Sequence, residues 1–184
     1  MSWLQTHTGR AFDLLNPTAD MVDVIDIEHA LARVCRFTGH TDRHYSVAEH
    51  CCHVSDYLGQ LYGPQMALAG LLHDAHEAYT NDLPYPVQVA LEEFLGDEFR
   101  EAWKAIQGGV DRAILEHLGV DVDLHDQRVK EADLRILLTE RNAMMATPPA
   151  PWDCEAMGPL DVEVYGWGYD QARTEWRFRL DVLR

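Results

Sequence analysis

The sequence predicts an all-α fold, and three observations carry that reading. Apolar residues recur at helical spacing through most of the chain. Strand-type alternation is nearly absent. Capping residues and Gly/Pro stops divide the chain at helix-sized intervals.

The elements follow in order. Residues 1–25 hold Gly9 and Asn16-Pro17 and few periodic positions, which reads as turns with a short hairpin over the core. A helix is expected over 26–34, with Asp26 as N-cap and Ile27, Ala30, Leu31 and Val34 as its apolar face. A loop around Gly39 follows. Ser46 and Glu49 form a Ser-x-x-Glu capping box, opening a helix that runs to about Tyr62 and stops at Gly63-Pro64. The run Met66–Leu72, after Pro64, predicts a buried helix over roughly 64–77. Asp82-Leu83-Pro84-Tyr85-Pro86 is a rigid turn, because each proline fixes its own φ and restricts its predecessor. Helical signal returns over 87–94. A longer helix is expected over 98–118, interrupted or bent near Gly108-Gly109, and another over 126–145. Thr147-Pro148-Pro149-Ala150-Pro151 ends it. Residues 152–169 read as irregular surface packing, and 170–183 as a last helix. The chain reads as a single domain over 1–184, with a helical core of about 26–145 and peripheral extensions at 1–25 and 146–184.

The chain has 184 residues, enough for one sizeable core. Its net charge of −16 argues against nucleic acid as the main partner, since backbone binding runs on Lys and Arg. No apolar run approaches membrane-spanning length, and no signal peptide is visible. Cys35, Cys51, Cys52 and Cys154 follow neither a zinc-knuckle nor a secreted-framework spacing. A reduced, cytoplasmic setting is expected. The expected partners are a small-molecule substrate and further copies of the chain, with no nucleic acid and no membrane.

The chemistry centres on His73-Asp74. An apolar helix ending in adjacent imidazole and carboxylate groups puts costly polar groups into a buried setting, and a divalent metal offsets that cost. Seven of the ten histidines lie between His29 and His76. His50 and His53 share one helical face, as do His73 and His76. Asp133 places an acid in an apolar helical stretch. Imidazole and carboxylate together suit zinc, manganese, cobalt or iron(II) better than calcium. His40, His44, His53 and His76 read as ordinary surface histidines. Cys51-Cys52 reads as core filling, and Trp103, Trp152, Trp167 and Trp176 as packing.

His50, His73-Asp74 and Asp133 together resemble the H…HD…D metal signature of the HD phosphohydrolase superfamily. The surrounding stretches are more specific than the His-Asp dipeptide alone. Tyr45–His50, Leu71–Glu77 and Asn81–Pro86 resemble the small bacterial 5′-deoxynucleotidases and the phage dATP triphosphohydrolases of that superfamily. The resemblance covers roughly residues 26–140. It implies an HD helical bundle and one divalent ion per chain (manganese, cobalt, zinc, iron or magnesium), held by His50, His73, Asp74 and Asp133. Glu77 and Asp82 would handle the attacking water. Asp82, Leu83, Pro84 and Tyr85 would line the nucleotide. Arg36-Phe37 falls where these families carry Arg-Trp, the Arg on phosphate and the Trp near sugar and base. Here Phe replaces Trp. Lys130, three residues before Asp133 and on nearly the same helical face, is a candidate second phosphate contact.

The residues suit such chemistry independently. A metal polarises a phosphoryl oxygen and lowers the pKa of water, a carboxylate beside it accepts a proton, and Arg grips phosphate in bidentate fashion. Three readings stay open: a 5′-deoxynucleotidase acting on monophosphates, a dNTP triphosphohydrolase, and a metal-binding regulatory module without turnover. Monophosphate hydrolysis is the favoured expectation. One confident basic residue suffices for a dianion, whereas a triphosphate needs more positive charge.

Overall fold

The structure is a computed structural model that describes residues 2–184. It is all-α apart from one small hairpin. Strands β1 (Trp3–Gln5) and β2 (Ala11–Asp13) pair antiparallel with Leu4 opposite Phe12. Phe12 is fully buried and stacks on Tyr79 at 3.8 Å. The hairpin thus contributes to the core beneath it.

Helix α1 spans Val24–Leu31. Its N-cap is Asp23, whose side chain accepts from Ile25 N at 2.9 Å, and not Asp26. Asp26 is buried and accepts from the backbone N (2.7 Å) and hydroxyl (2.8 Å) of Thr8. A carboxylate of this kind serves either role, and the one nearer the hairpin takes the tertiary bond.

Helix α2 (Val47–Tyr62) begins at Ser46, whose Oγ accepts from Glu49 N at 3.2 Å. The other half of the expected capping box is replaced. The fully buried Glu49 carboxylate accepts from the backbone N–H groups of Tyr165 (3.2 Å), Gly166 (3.0 Å) and Trp167 (2.5 Å).

Helix α3 (Pro64–Leu72) packs closely along α2. Gly70 permits this approach, since a Cβ there would lie 2.8 Å from Leu58 Cδ1 and 3.2 Å from Ser55 N. The helix expected over 64–77 ends at Leu72. A turn covers His73–His76, and the short α4 covers Glu77–Thr80.

Helix α5 (Tyr85–Leu95) carries no buried residue and packs against α6 (Asp97–Leu118). Helix α6 runs unbroken through Gly108-Gly109, contrary to the expected bend. The bare Cα of Gly109 faces Pro17, 3.3 Å from where a Cβ would stand. Gly109 therefore serves close packing, while Gly108 faces open space. Helix α7 spans Gln127–Met144 with Asp126 as cap, and α8 spans Tyr169–Leu183.

One hydrophobic cluster joins Phe12, Val22, Leu31, Val47, Leu71, Ile114, Ala172, Trp176 and Leu180. Both chain ends, expected as peripheral, therefore supply core residues. Trp176 is fully buried, and its indole N–H donates to Leu71 O at 3.3 Å. Burial of apolar surface is the main stabilising term in folding, so the ends contribute directly to it. Among the described residues no helix is long and apolar enough to cross a membrane.

Candidate metal centre

Two helices and one turn bring the site together. Helix α2 supplies His50, the turn after α3 supplies His73 and Asp74, and α7 supplies Asp133. The end of α3 at Leu72 is what lets two adjacent residues converge, since within a continuous helix they would point about 100° apart.

The donor atoms of His50, His73 and Asp74 all lie within 4.8 Å of one another. His50 Nε2 is 3.3 Å from His73 Nε2 and 3.5 Å from Asp74 Oδ2. His73 Nε2 is 3.1 Å from Asp74 Oδ2, and Asp133 Oδ1 is 3.2 Å from His50 Nε2. Bonds of about 2.0–2.2 Å to one ion give ligand–ligand edges of about 3.0–3.5 Å. The spacing fits.

The second ring nitrogens decide what the first can do. His50 Nδ1 lies 2.6 Å from Glu140 Oε1, and His73 Nδ1 lies 2.8 Å from Gly70 O. Each Nδ1–H donates there. In the neutral rings both Nε2 lone pairs then face each other and two carboxylates. His50, His73 and Asp74 thus form a three-residue donor group that could hold a cation, with Asp133 beside it through its contact with His50. Burial disfavours charge on His73, yet Asp74 beside it pushes its pKa well above the usual imidazole value. A metal ion would displace such a proton. These residues could hold one divalent ion.

Glu140, absent from the sequence reading, organises the inner wall. It is fully buried on α7 and accepts from His50, from Tyr45 Oη at 2.8 Å and from Arg36 Nε at 3.1 Å. Burial alone would raise its pKa, but Arg36, His50 and Tyr45 hold it down at about 2. Arg36 also reaches toward Asp74, with Nη1 3.7 Å from Oδ2. The expected phosphate contact is thus a buried guanidinium tied to two site carboxylates.

Glu77 and Asp82 lie outside the His50, His73 and Asp74 group, though Glu77 offers a donor atom within 4.8 Å of Asp74. Burial, reinforced by the charges of Asp74 and Asp82, pushes the Glu77 carboxyl well above its normal range, and its Oε2 has no hydrogen-bond partner. Burial also raises Asp82, opposed by Arg36 and reinforced by Asp74. Leu83 and Pro84 are half-buried beyond Asp82, and Tyr85 is exposed at the start of α5. Lys130 is exposed on α7, about one turn from Asp133.

His40 and His44 are exposed as expected, but His53 and His76 are buried. His76 Nδ1 meets Asp111 Oδ1 at 3.1 Å, and Nε2 accepts from Gln107 Nε2 at 2.9 Å. Asp74, His76 and Glu77 also form a close donor group, but both nitrogens of His76 are already engaged. Cys51 and Cys52 are buried free thiols, in line with core filling.

No family model matches the chain. A curated relative, the Escherichia coli (strain K12) protein named Uncharacterized protein YfdR, is 34% identical over 141 residues, covering 77% of this chain and 71% of that protein. An uncharacterized protein of Rhodobacter capsulatus is 40% identical over 95 residues, covering 49% of this chain and 48% of its own length. This is an all-α protein with a His/Asp cluster that could hold a metal ion. It belongs to the family of YfdR.

Proposed function

We propose that this protein is a metal-dependent phosphohydrolase of the HD superfamily acting on deoxynucleoside monophosphates. The observation that carries the reading is the convergence of His50, His73 and Asp74 at coordination-edge spacing, with Asp133 3.2 Å from His50. It is joined by Glu77 and Asp82, two further carboxyls that hold no place in the donor set. A passive metal-binding module has no use for them.

When bound, a divalent ion would polarise the phosphoryl oxygen and favour deprotonation of water. The chain's residues do the rest. Arg36 is fixed by Glu140, so its remaining N–H groups face the substrate phosphate with little freedom to lose. Asp82 accepts the proton of the attacking water. Glu77, kept neutral by its buried, acid-rich surroundings, donates a hydrogen bond that orients the water or the leaving oxygen.

A monophosphate is favoured because Arg36 is the buried cation placed at the site, and Asp74 and Glu140 already share its charge. The test is product analysis with dAMP and dATP, with manganese, cobalt or magnesium supplied in turn. Deoxyadenosine and free phosphate from dAMP is the expected result. Intact triphosphate from dATP with dAMP untouched would transfer the assignment to triphosphate hydrolysis. No turnover of either with any metal would leave a regulatory module.

A further inference from the structure

We propose that Trp152, paired with Phe37, supplies an aromatic surface that receives the substrate's base, so that Trp152 is a base-binding residue; this rests on the nucleotide reading above. Trp152 lies in the irregular segment after α7, far in sequence from every motif.

The geometry leads outward from the donor cluster. Arg36 Nη1 is 3.7 Å from Asp74 Oδ2, and the Arg36 guanidinium sits 5.5 Å from the Phe37 ring centroid. The Phe37 and Trp152 centroids are 6.3 Å apart with the rings tilted by 42°. Both rings are half-buried, so each keeps part of its surface open.

Trp152 is fixed before any ligand arrives. The Arg141 guanidinium covers its ring at 4.9 Å. Arg141 is itself buried and held by both oxygens of Glu155, at 2.5 and 2.9 Å. Glu155 also accepts from Trp152 N at 3.3 Å. A preorganised indole loses little side-chain freedom on binding.

Phe37 is fixed too. It and Thr38 have φ of 55° and 53°, in the left-handed region. That conformation is a genuine outlier for a β-branched residue such as Thr38, and it persists only where packing imposes it. A rigid, tilted aromatic pair beside a guanidinium suits a planar heterocycle attached to a phosphate. Every base has a π-face, so such a wall tolerates all four.

The experiment measures binding of the four dNMPs and of 2-deoxyribose 5-phosphate, which lacks the base, to the metal-loaded protein and to Trp152→Ala, Trp152→Leu and Trp152→Phe. Metal content and melting temperature are recorded for each variant. Loss of the indole face should weaken dNMP binding by about 5- to 100-fold, with 2-deoxyribose 5-phosphate unchanged and Trp152→Phe close to the parent. Trp152→Leu keeps an apolar side chain without the indole face and leaves a smaller gap than alanine, so it decides the matter if the alanine variant does not fold. Unchanged dNMP affinity in Trp152→Leu overturns the proposal, as does equal weakening of both ligands. If the parent binds neither compound, the nucleotide reading fails and the wall loses its occupant. If it binds dNMPs and the variants match it, only the wall is wrong.

Discussion

At the scale of single residues, the proposed function divides the site into groups that would hold a metal and groups that would handle protons. Asp82→Asn and Glu77→Gln remove proton-handling carboxyls outside the donor set. Both should keep metal content while turnover falls by about 10²–10⁴, read by steady-state kinetics beside metal analysis. Near-normal kcat in both would return them to a structural role. Glu140 yields a prediction in pH. Its folded pKa of about 2 lies below its ordinary 4.5. The stability its charge contributes is therefore complete above about pH 4.5 and is lost as pH falls toward 2. Metal-stripped protein should lose melting temperature as pH falls from about 4.5 toward 2, and Glu140→Gln should show a flatter profile from a lower starting point. Parallel profiles would contradict the coupling.

The same scale shows what the sequence made legible. His73-Asp74 announces itself because an ionisable pair ends an apolar run, and the capping signal at Ser46 positions His50. Glu140 gives no such signal. An acid in Thr139-Glu140-Arg141 reads like any solvated helix residue, and only tertiary packing puts it beneath His50. His53 and His76 were misplaced on the surface for a related reason. Periodicity gives a helical face, but not which neighbouring helix covers it. Trp152 reads as packing, and its pairing with Phe37 gives no local signal because the two lie far apart in sequence.

At the scale of elements, the helices follow their local signals except where a partner overrides them. Leu72 ends α3 because the turn through His73–His76 satisfies the site rather than the helix. Asp23 displaces Asp26 as cap because Thr8 claims Asp26. Glu49 leaves its capping box to hold three backbone N–H groups of the segment before α8. Glu49→Ala strands those donors, which should destabilise the fold by about 1–3 kcal/mol and expose 163–168 to limited proteolysis. Protease resistance equal to the parent would show that the other contacts of α8 anchor it without the Glu49 bonds. The contact between α2 and α3 has its own test. Gly70→Ala drives a methyl group toward Leu58 and the Ser55 backbone and should cost about 1–3 kcal/mol. A melting temperature unchanged by that substitution would mean the two helices slide apart freely.

At the scale of the whole molecule, the two chain ends close over the helices that carry the donors. Phe12 reaches Tyr79 just beyond the His73–Glu77 turn, and Trp176 bonds the carbonyl of Leu71 just before it. The hairpin and α8 thus brace the segment bearing His73 and Asp74 from either side. The acidic chain, at −16, keeps buried cations scarce and gives Arg36 its weight at the site. The central claim is that His50, His73, Asp74 and Asp133 hold one divalent ion. The most direct measurement is elemental metal analysis of the purified protein, reconstituted and desalted, beside Asp74→Ala and Asp133→Asn, with circular dichroism to confirm folding. The account predicts about one ion per parent chain, and folded variants that have lost most of it. Full metal content in folded Asp74→Ala, or none in the reconstituted parent, would contradict it.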